Sequence, residues 1–547
     1  MKKILLFVLW GVVCTNGIYA HSKVQQSVVE TRDNKVYILA NEREYEALSI
    51  ISVKFHNLHE LQKKYNVIRH NKLSYADIKC PSELNLIDFV NLLEKDDNVL
   101  YIDYNCEGEY TSMIPNDTYW GDMWHLSAIN IPAAWDITTG NPQVKVGILD
   151  TGVDWEHPEL GYGNDSYQNI YCKTVEDDWS NPNNPTTGNN IDDDANGLVD
   201  DYKGWNFANN SNDSRGTMSH GTFVAGIVGA KTNNGCGISG VAGGNNASGV
   251  SLISYCIGSE NPNTSIVDDA IITAVNDGVR IINISAVFAY NSSINSALQY
   301  AKDNNVTVVC AAGNNGFQEL PFPANDSNVI AVGALDEDFN RAYFSNFGSN
   351  LSVMAPGVNI RGLNLTSEYP IYKYDDGTSF AAPQVAGVAA LMLSVNPFLQ
   401  ANEIQEIIET TAVKLEDYSF NALYGNPNAT WNFFVGYGMV NAYAAVSEAR
   451  DRAVYMQGTS TLCNTNSYQL INLPSTANVS WSYETDIQQI GNYPVLQLSN
   501  TTSSTITVQR GSFLSHGLTT LYSGYVTLKA TVTHEGLSRT FSKTILL

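Results

Sequence analysis

Two rhythms of apolar and polar positions divide this chain. From about residue 118 to 450, continuous apolar runs (Val144–Leu149, Ser251–Ile257, Arg280–Ile284, Val306–Ala311, Val329–Val332) alternate with helical segments such as Ser265–Asp277 and Asn295–Asp303. Strands that are apolar at every position need cover on both faces, so the pattern predicts an α/β domain with a parallel sheet flanked by helices. In such sheets, functional residues gather at the carboxyl ends of the strands. After about 455 the period falls to two, in Val479–Tyr483, Thr505–Val508 and Tyr525–Val532, with turns rich in Ser, Thr, Asn and Gly. That predicts an all-β sandwich over 455–547. Residues 21–113 read as a small α+β module with strands at Val36–Ala40 and Val99–Asp103 and a helix over Glu83–Leu93, followed by a loose stretch, Asn105–Asp117.

The amino terminus changes the picture of where the chain works. Lys2 and Lys3 precede an apolar stretch, Ile4–Val13, and Ala20 ends a cleavage-type sequence. Residues 1–20 therefore read as a signal peptide, and the chain as exported to the cell envelope or beyond. Val13 before Cys14 is a poor fit to a lipid-attachment site. No other apolar run is long enough for a membrane helix. The formal net charge of -25 argues against nucleic acid or anionic lipid as a partner. Export permits disulfides. Cys256 and Cys310 sit in apolar runs and read as small buried hydrophobes, while Cys172 and Cys236, in polar loops, are the better disulfide candidates.

Three segments carry chemistry. Val146-Gly-Ile-Leu-Asp150 ends a buried strand on a carboxylate; His220-Gly-Thr-Phe-Val-Ala-Gly226 opens a helix of small residues on a histidine; Gly377-Thr-Ser379-Phe-Ala-Ala-Pro383 opens a second such helix on a serine. A serine needs a base to take its proton, and that base needs a partner to fix its tautomer and stabilise the imidazolium. A helix amino end beside Ser379 also favours developing negative charge. Taken singly, each residue reads as a turn, a loop or a helix cap; together they read as a nucleophile, a base and an orienting acid.

These three motifs, in the order Asp, His, Ser and with the loop Cys310-Ala-Ala-Gly-Asn314-Asn-Gly316, resemble the subtilisin-like serine proteases over the whole of 118–450. The resemblance implies a serine endopeptidase acting on proteins or peptides, in which Asp150 orients, His220 is the general base, Ser379 attacks the carbonyl and Asn314 donates to the oxyanion. It also implies that residues 21–113 are a prodomain that helps folding, inhibits the cleft and is cut away near Asn105–Asp117. The β-sandwich resembles immunoglobulin-like modules, which by itself assigns no ligand. A reading of a different class is an idle scaffold of the same fold that binds a protein or glycan surface.

Two departures from the family pattern stand out. The family carries two glycines where this chain, in Ser285-Ala286-Val287-Phe288, has Val287 and Phe288, so a narrowed substrate pocket is expected. The stretch from Asp150 to His220 is also long and holds Asp192-Asp-Asp194-Ala-Asn196-Gly197-Leu-Val-Asp200-Asp201. Oxygen ligands at alternate positions before a glycine match the first half of a calcium loop, although Lys203 stands where that loop expects a bidentate Glu. A structural Ca2+ held by Asp192, Asp194, Asn196, Asp200 and Asp201 is the expectation; a solvated acidic loop is the alternative. Glu159 falls where the family often has a calcium-binding aspartate.

Overall fold

The apolar runs of the central region form one seven-stranded parallel sheet. Its strands are β1 (Lys145–Asp150), β2 (Gly204–Asn206), β3 (Ser251–Cys256), β4 (Ile281–Ile284), β5 (Thr307–Ala311), β6 (Val329–Leu335) and β7 (Leu351–Pro356), in the order β7-β6-β5-β4-β1-β3-β2. The structure, a computed structural model, describes residues 18–19, 29–32, 35–40, 43–70, 74–106, 113–161, 167–176, 179–181, 183–421, 430–515, 518–534 and 536–547. It comprises two compact units, residues 1–111 and 112–547. The leader expected over 1–20 lies, apart from Ile18–Tyr19, outside the described residues, and so do residues 107–112 of the stretch that follows the first module.

Register lines up the strand ends. Asp150 lies beside Cys256, Leu149 beside Ile284, and Ile284 beside Cys310. The loops leaving β1, β3, β4 and β5 therefore emerge abreast along one edge. Four helices matter here: α1 (His220–Gly229), α2 (Val267–Asn276), α3 (Ser292–Asp303) and α4 (Thr378–Val395). The small residues of α1 and α4 permit close approach. A Cβ on Gly221 would meet the Gly152 carbonyl at 2.3 Å, and one on Gly387 would meet Val241 at 2.6 Å. Among the described residues, α4 is the one helix long and apolar enough to cross a membrane, and it is buried in the core of this domain.

The acidic insertion between β1 and α1 is tied down by one lysine. Lys173 Nζ contacts Asp201 Oδ2 and Asp277 Oδ1, both at 2.7 Å, and Asp194 Oδ2 at 3.3 Å. Tyr255 on β3 donates its hydroxyl to the other Asp277 oxygen at 2.7 Å. Burial opposes the Lys173 charge, but Asp277 and Asp201 outweigh it and raise its pKa.

A second buried carboxylate fixes the start of this unit. Asp117 accepts from the backbone N–H groups of Asn233 and Asn234 at 2.9 Å each and from Gly235 at 3.3 Å, and from the Ser239 hydroxyl at 2.5 Å. Asn116 adds a backbone bond to the Asn233 side chain and accepts from Gly235 N–H. Successive amides curled around one anion form a nest, the short-range counterpart of a helix amino end.

The amino-terminal unit pairs Arg43–Phe55 with Tyr75–Lys79 and Val99–Cys106 and packs helices Leu58–Lys64 and Leu86–Glu94 on an apolar core including Ile51, Leu61, Phe89 and Ile102. After residue 454, a four-stranded and a three-stranded antiparallel sheet share one core around Tyr468, Trp481, Ile506 and Leu528, and Ser512–Ser515 pairs with Leu518–Leu521 in a third, two-stranded sheet. Cys256 and Cys310 are buried. Cys172 and Cys236, each expected as a disulfide candidate, are half-buried and exposed and are not joined to each other.

Candidate active site

Asp150 is the last residue of β1 and is 4% exposed. Its Oδ1 accepts from His220 Nδ1 at 2.7 Å and from Thr151 N–H at 2.7 Å. His220 is the first residue of α1, and that helix end sits on the strand end because Gly221 has no side chain there. Gly221 N–H in turn donates to the Thr151 hydroxyl at 3.0 Å. A histidine that donates from Nδ1 to a carboxylate carries its lone pair on Nε2, the form a general base needs. Burial opposes protonation of His220, but Asp150 more than compensates, so its pKa is raised; Asp375 raises it further and Lys373 lowers it.

Ser379 is the second residue of α4, where backbone N–H groups have no partner within the helix. Its hydroxyl donates to the Ser285 carbonyl at 3.2 Å. The reverse contact has a clear cause. Pro383 lies inside α4 and has no N–H, so it cannot bond the carbonyl four residues back, which belongs to Ser379. The Ser285 hydroxyl takes that carbonyl instead, at 2.8 Å, and is itself held by Asn283 Nδ2 at 2.9 Å. The segment after β4 thus clamps the serine from both sides.

Asn314 follows β5. Its side-chain oxygen accepts twice from Thr378, from the N–H at 2.9 Å and the hydroxyl at 2.7 Å. The oxygen is fully used, which leaves the NH2 end as a donor beside the serine. Gly313, at φ +96°, makes the turn possible; a Cβ there would meet Asn346 at 2.6 Å. Asp150, His220, Asn314 and Ser379 line a single cleft of about 440 Å³, together with Ser285, Ala286 and Val287.

Phe288 does not line it. Phe288 is 8% exposed, its N–H bonds the Phe322 carbonyl at 2.7 Å, and its ring joins the apolar core. The expectation that both side chains face the cleft is corrected: Phe288 is turned away, and Val287, 43% exposed, borders it. Sequence reasoning also missed the turn Ile257–Pro262, which forms another wall, and Thr378, which orients Asn314.

Of the five expected calcium ligands, Asp192 and Asp194 converge, and Glu176 joins them: one oxygen from each lies within 4.8 Å of the others. Burial and then the charges of Asp194 and Asp192 raise the Glu176 pKa, repulsion that a cation would relieve. An all-carboxylate oxygen set suits a hard cation. Asp201 is turned to Lys173; Asp200 is buried and accepts from Asn190 N–H at 3.0 Å; Asn196 accepts from Leu198 N–H at 2.7 Å. Glu159 is fully buried and accepts from the Tyr372 hydroxyl at 3.0 Å. Glu176, Asp192 and Asp194 are the one such converging group among the described residues.

Comparison with known proteins agrees with this geometry. The model of the Subtilase family matches residues 141–438. The chain is 34% identical over 335 residues to a thermophilic serine proteinase of Bacillus sp. (strain AK1), which covers 61% of this chain and 69% of that protein. It is 33% identical over 358 residues to halolysin of Haloferax mediterranei (64% and 61%), and 32% identical over 334 residues to thermitase of Thermoactinomyces vulgaris (61% and 99%). Fold, motif order and relatives converge on one assignment: the chain belongs to the subtilase family of serine peptidases.

Proposed function

We propose that this subtilase is an exported, self-processing serine endopeptidase in which Asp150, His220 and Ser379 are the triad and Asn314 the side-chain oxyanion donor. The observation that carries the reading is the 2.7 Å Asp150–His220 hydrogen bond on the same cleft as Ser379 and Asn314. In the reaction, the Ser379 hydroxyl turns from the Ser285 carbonyl to His220 Nε2, which takes its proton as Oγ attacks the peptide carbon. Asp150 stabilises the imidazolium that forms. Asn314 Nδ2 and the Ser379 N–H donate to the oxyanion. His220 then gives the proton to the leaving amine, and water, deprotonated by the same nitrogen, releases the acyl group. Labelling with a fluorophosphonate tests the reading directly: one adduct on Ser379 is expected, and a protein that takes no label is not this enzyme.

The raised His220 pKa fixes the sign of a pH effect. The base works only when neutral, so the acid limb of kcat/KM lies above the ordinary imidazole value. Asp375→Asn removes a charge that favours the imidazolium and should move the limb to lower pH; Lys373→Met should move it higher. Limbs that stay put in both variants would disprove this coupling.

Residues 1–20 serve as the signal, residues 21–113 as the prodomain, 118–450 as the peptidase and 455–547 as an immunoglobulin-like module. A structural Ca2+ in the insertion would be held by Glu176, Asp192 and Asp194, where its charge would offset their repulsion. Saturating calcium should stabilise the enzyme by about 2.7 kcal/mol at a hundredfold excess over Kd. Asp192→Ala with Asp194→Ala should abolish most of the difference in melting between calcium and chelator; equal melting in the wild type leaves a solvated loop. At the cleft, Val287 should disfavour bulky side chains before the cut bond by about tenfold. Peptide profiling of Val287→Gly should show that preference relaxed, and a wild type already selective for Phe or Tyr would contradict it.

A further inference from the structure

Strand order places β3 on one side of β1 and β4 on the other, so the turn Ile257–Pro262 and the segment Ser285–Val287 flank Asp150. The turn is closed by pairing of Gly258 with Pro262 and by a 2.9 Å bond from Asn263 N–H to the Ile257 carbonyl. Glu260 stands exposed on it and lines the cleft. No Lys or Arg lines the cleft, and Glu260 makes no ion pair among the described residues. Lys373, whose charge acts on His220, is bound to Asp375 at 3.2 Å, and Arg215 is bound to Asp213 and Glu156, both at 2.8 Å. The chain as a whole carries -25. A cleft whose uncompensated charge is a carboxylate, in a protein of the same sign, concentrates cations and repels anions.

We propose that the cleft selects peptides bearing a basic side chain close to the cut bond, and that Glu260 is the residue that reads it. The inference rests on the serine-peptidase reading of the site. It also bears on maturation. The linker 105–117 contains Glu107 and Glu109 and no Lys or Arg. As a separate molecule it is a poor substrate; joined to the enzyme, its tether supplies the effective concentration that its charge withholds. Once cut, its acidic end is repelled and leaves.

The test uses the active, mature enzyme and peptides that differ only in Lys, Leu or Glu at each position within four residues of the cut. At one position, kcat/KM for Lys should exceed that for Glu by about tenfold or more, and the ratio should shrink in high salt. Glu260→Gln should bring the ratio to within about twofold and Glu260→Lys should invert it, with fluorophosphonate titration showing that each variant is folded. A peptide of residues 105–117 should be cut more slowly than its Glu107→Lys, Glu109→Lys counterpart. A wild-type ratio near one at every position, or a ratio that survives Glu260→Gln in labelled enzyme, overturns this proposal alone. An enzyme that neither labels nor cuts any peptide overturns the peptidase reading and this one with it.

Discussion

Replacing Ser379 by alanine should lower turnover by a factor on the order of 10⁶ and leave the precursor uncut. The size follows from the division of labour in the cleft. Without Oγ there is no acyl-enzyme, and His220, however well held by Asp150, has no proton to take. What remains is attack by water beside the oxyanion donors, which is feeble. The substitution is gentle on the fold, because the hydroxyl makes one bond, to the Ser285 carbonyl, and the Ser285 clamp on the Ser379 carbonyl does not use it. Melting should therefore change by no more than about 1 kcal/mol, the worth of one ordinary hydrogen bond. Peptide hydrolysis, labelling and the size of the purified product each read the effect. A Ser379→Ala precursor that matures alone at the wild-type rate would mean that another group, or another enzyme, makes the cut.

Asn314→Ala should cost about 10²–10³ in kcat with little change in KM, a range carried over from subtilisin. Its amide should act only once the carbonyl oxygen has become an oxyanion, so ground-state binding is spared. Thr378 complicates the alanine variant, since it loses the acceptor for both its N–H and its hydroxyl. Asn314→Asp separates the two roles. It keeps an oxygen for Thr378 but replaces the donor by a second oxygen, and its charge opposes the oxyanion. Turnover in Asn314→Asp should fall at least as far as in the alanine variant, with melting closer to wild type. Full activity in Asn314→Asp would make the residue a structural one.

The gathering of Asp150, His220, Asn314 and Ser379 on one cleft was legible because this chemistry admits few residue types and the fold presents them at strand and helix ends. Asp150 ends a strand, and His220 and Ser379 stand at the amino ends of helices. The helix over Glu83–Leu93 was displaced to Leu86–Glu94 because Asn85, not a more distant residue, caps it through the Asp88 N–H. Phe288 was misread for a reason no local pattern carries: its backbone pairs with Phe322, distant in sequence, and this turns the ring inward. Glu176 was passed over because it precedes the acidic run by a long loop, and only the folded insertion returns it to Asp192 and Asp194. Asp201, expected as a ligand, is claimed by Lys173, which comes from an earlier part of the same insertion.

The Asp117 nest bears on where the chain can be severed. Three backbone amides of the loop 233–235 and the Ser239 hydroxyl depend on one carboxylate near the start of the second unit. Scission on the carboxyl side of Asp117 would detach that anion, leaving the buried Ser239 hydroxyl without its acceptor, a penalty of about 1–3 kcal/mol, and freeing the half-buried Asn233 and Asn234 N–H groups. Scission ahead of Asn116 keeps Asp117 and the Asn116 contacts in place. A shortened chain that keeps this anchorage therefore has its amino terminus at or upstream of Asn116, whatever protease makes the cut.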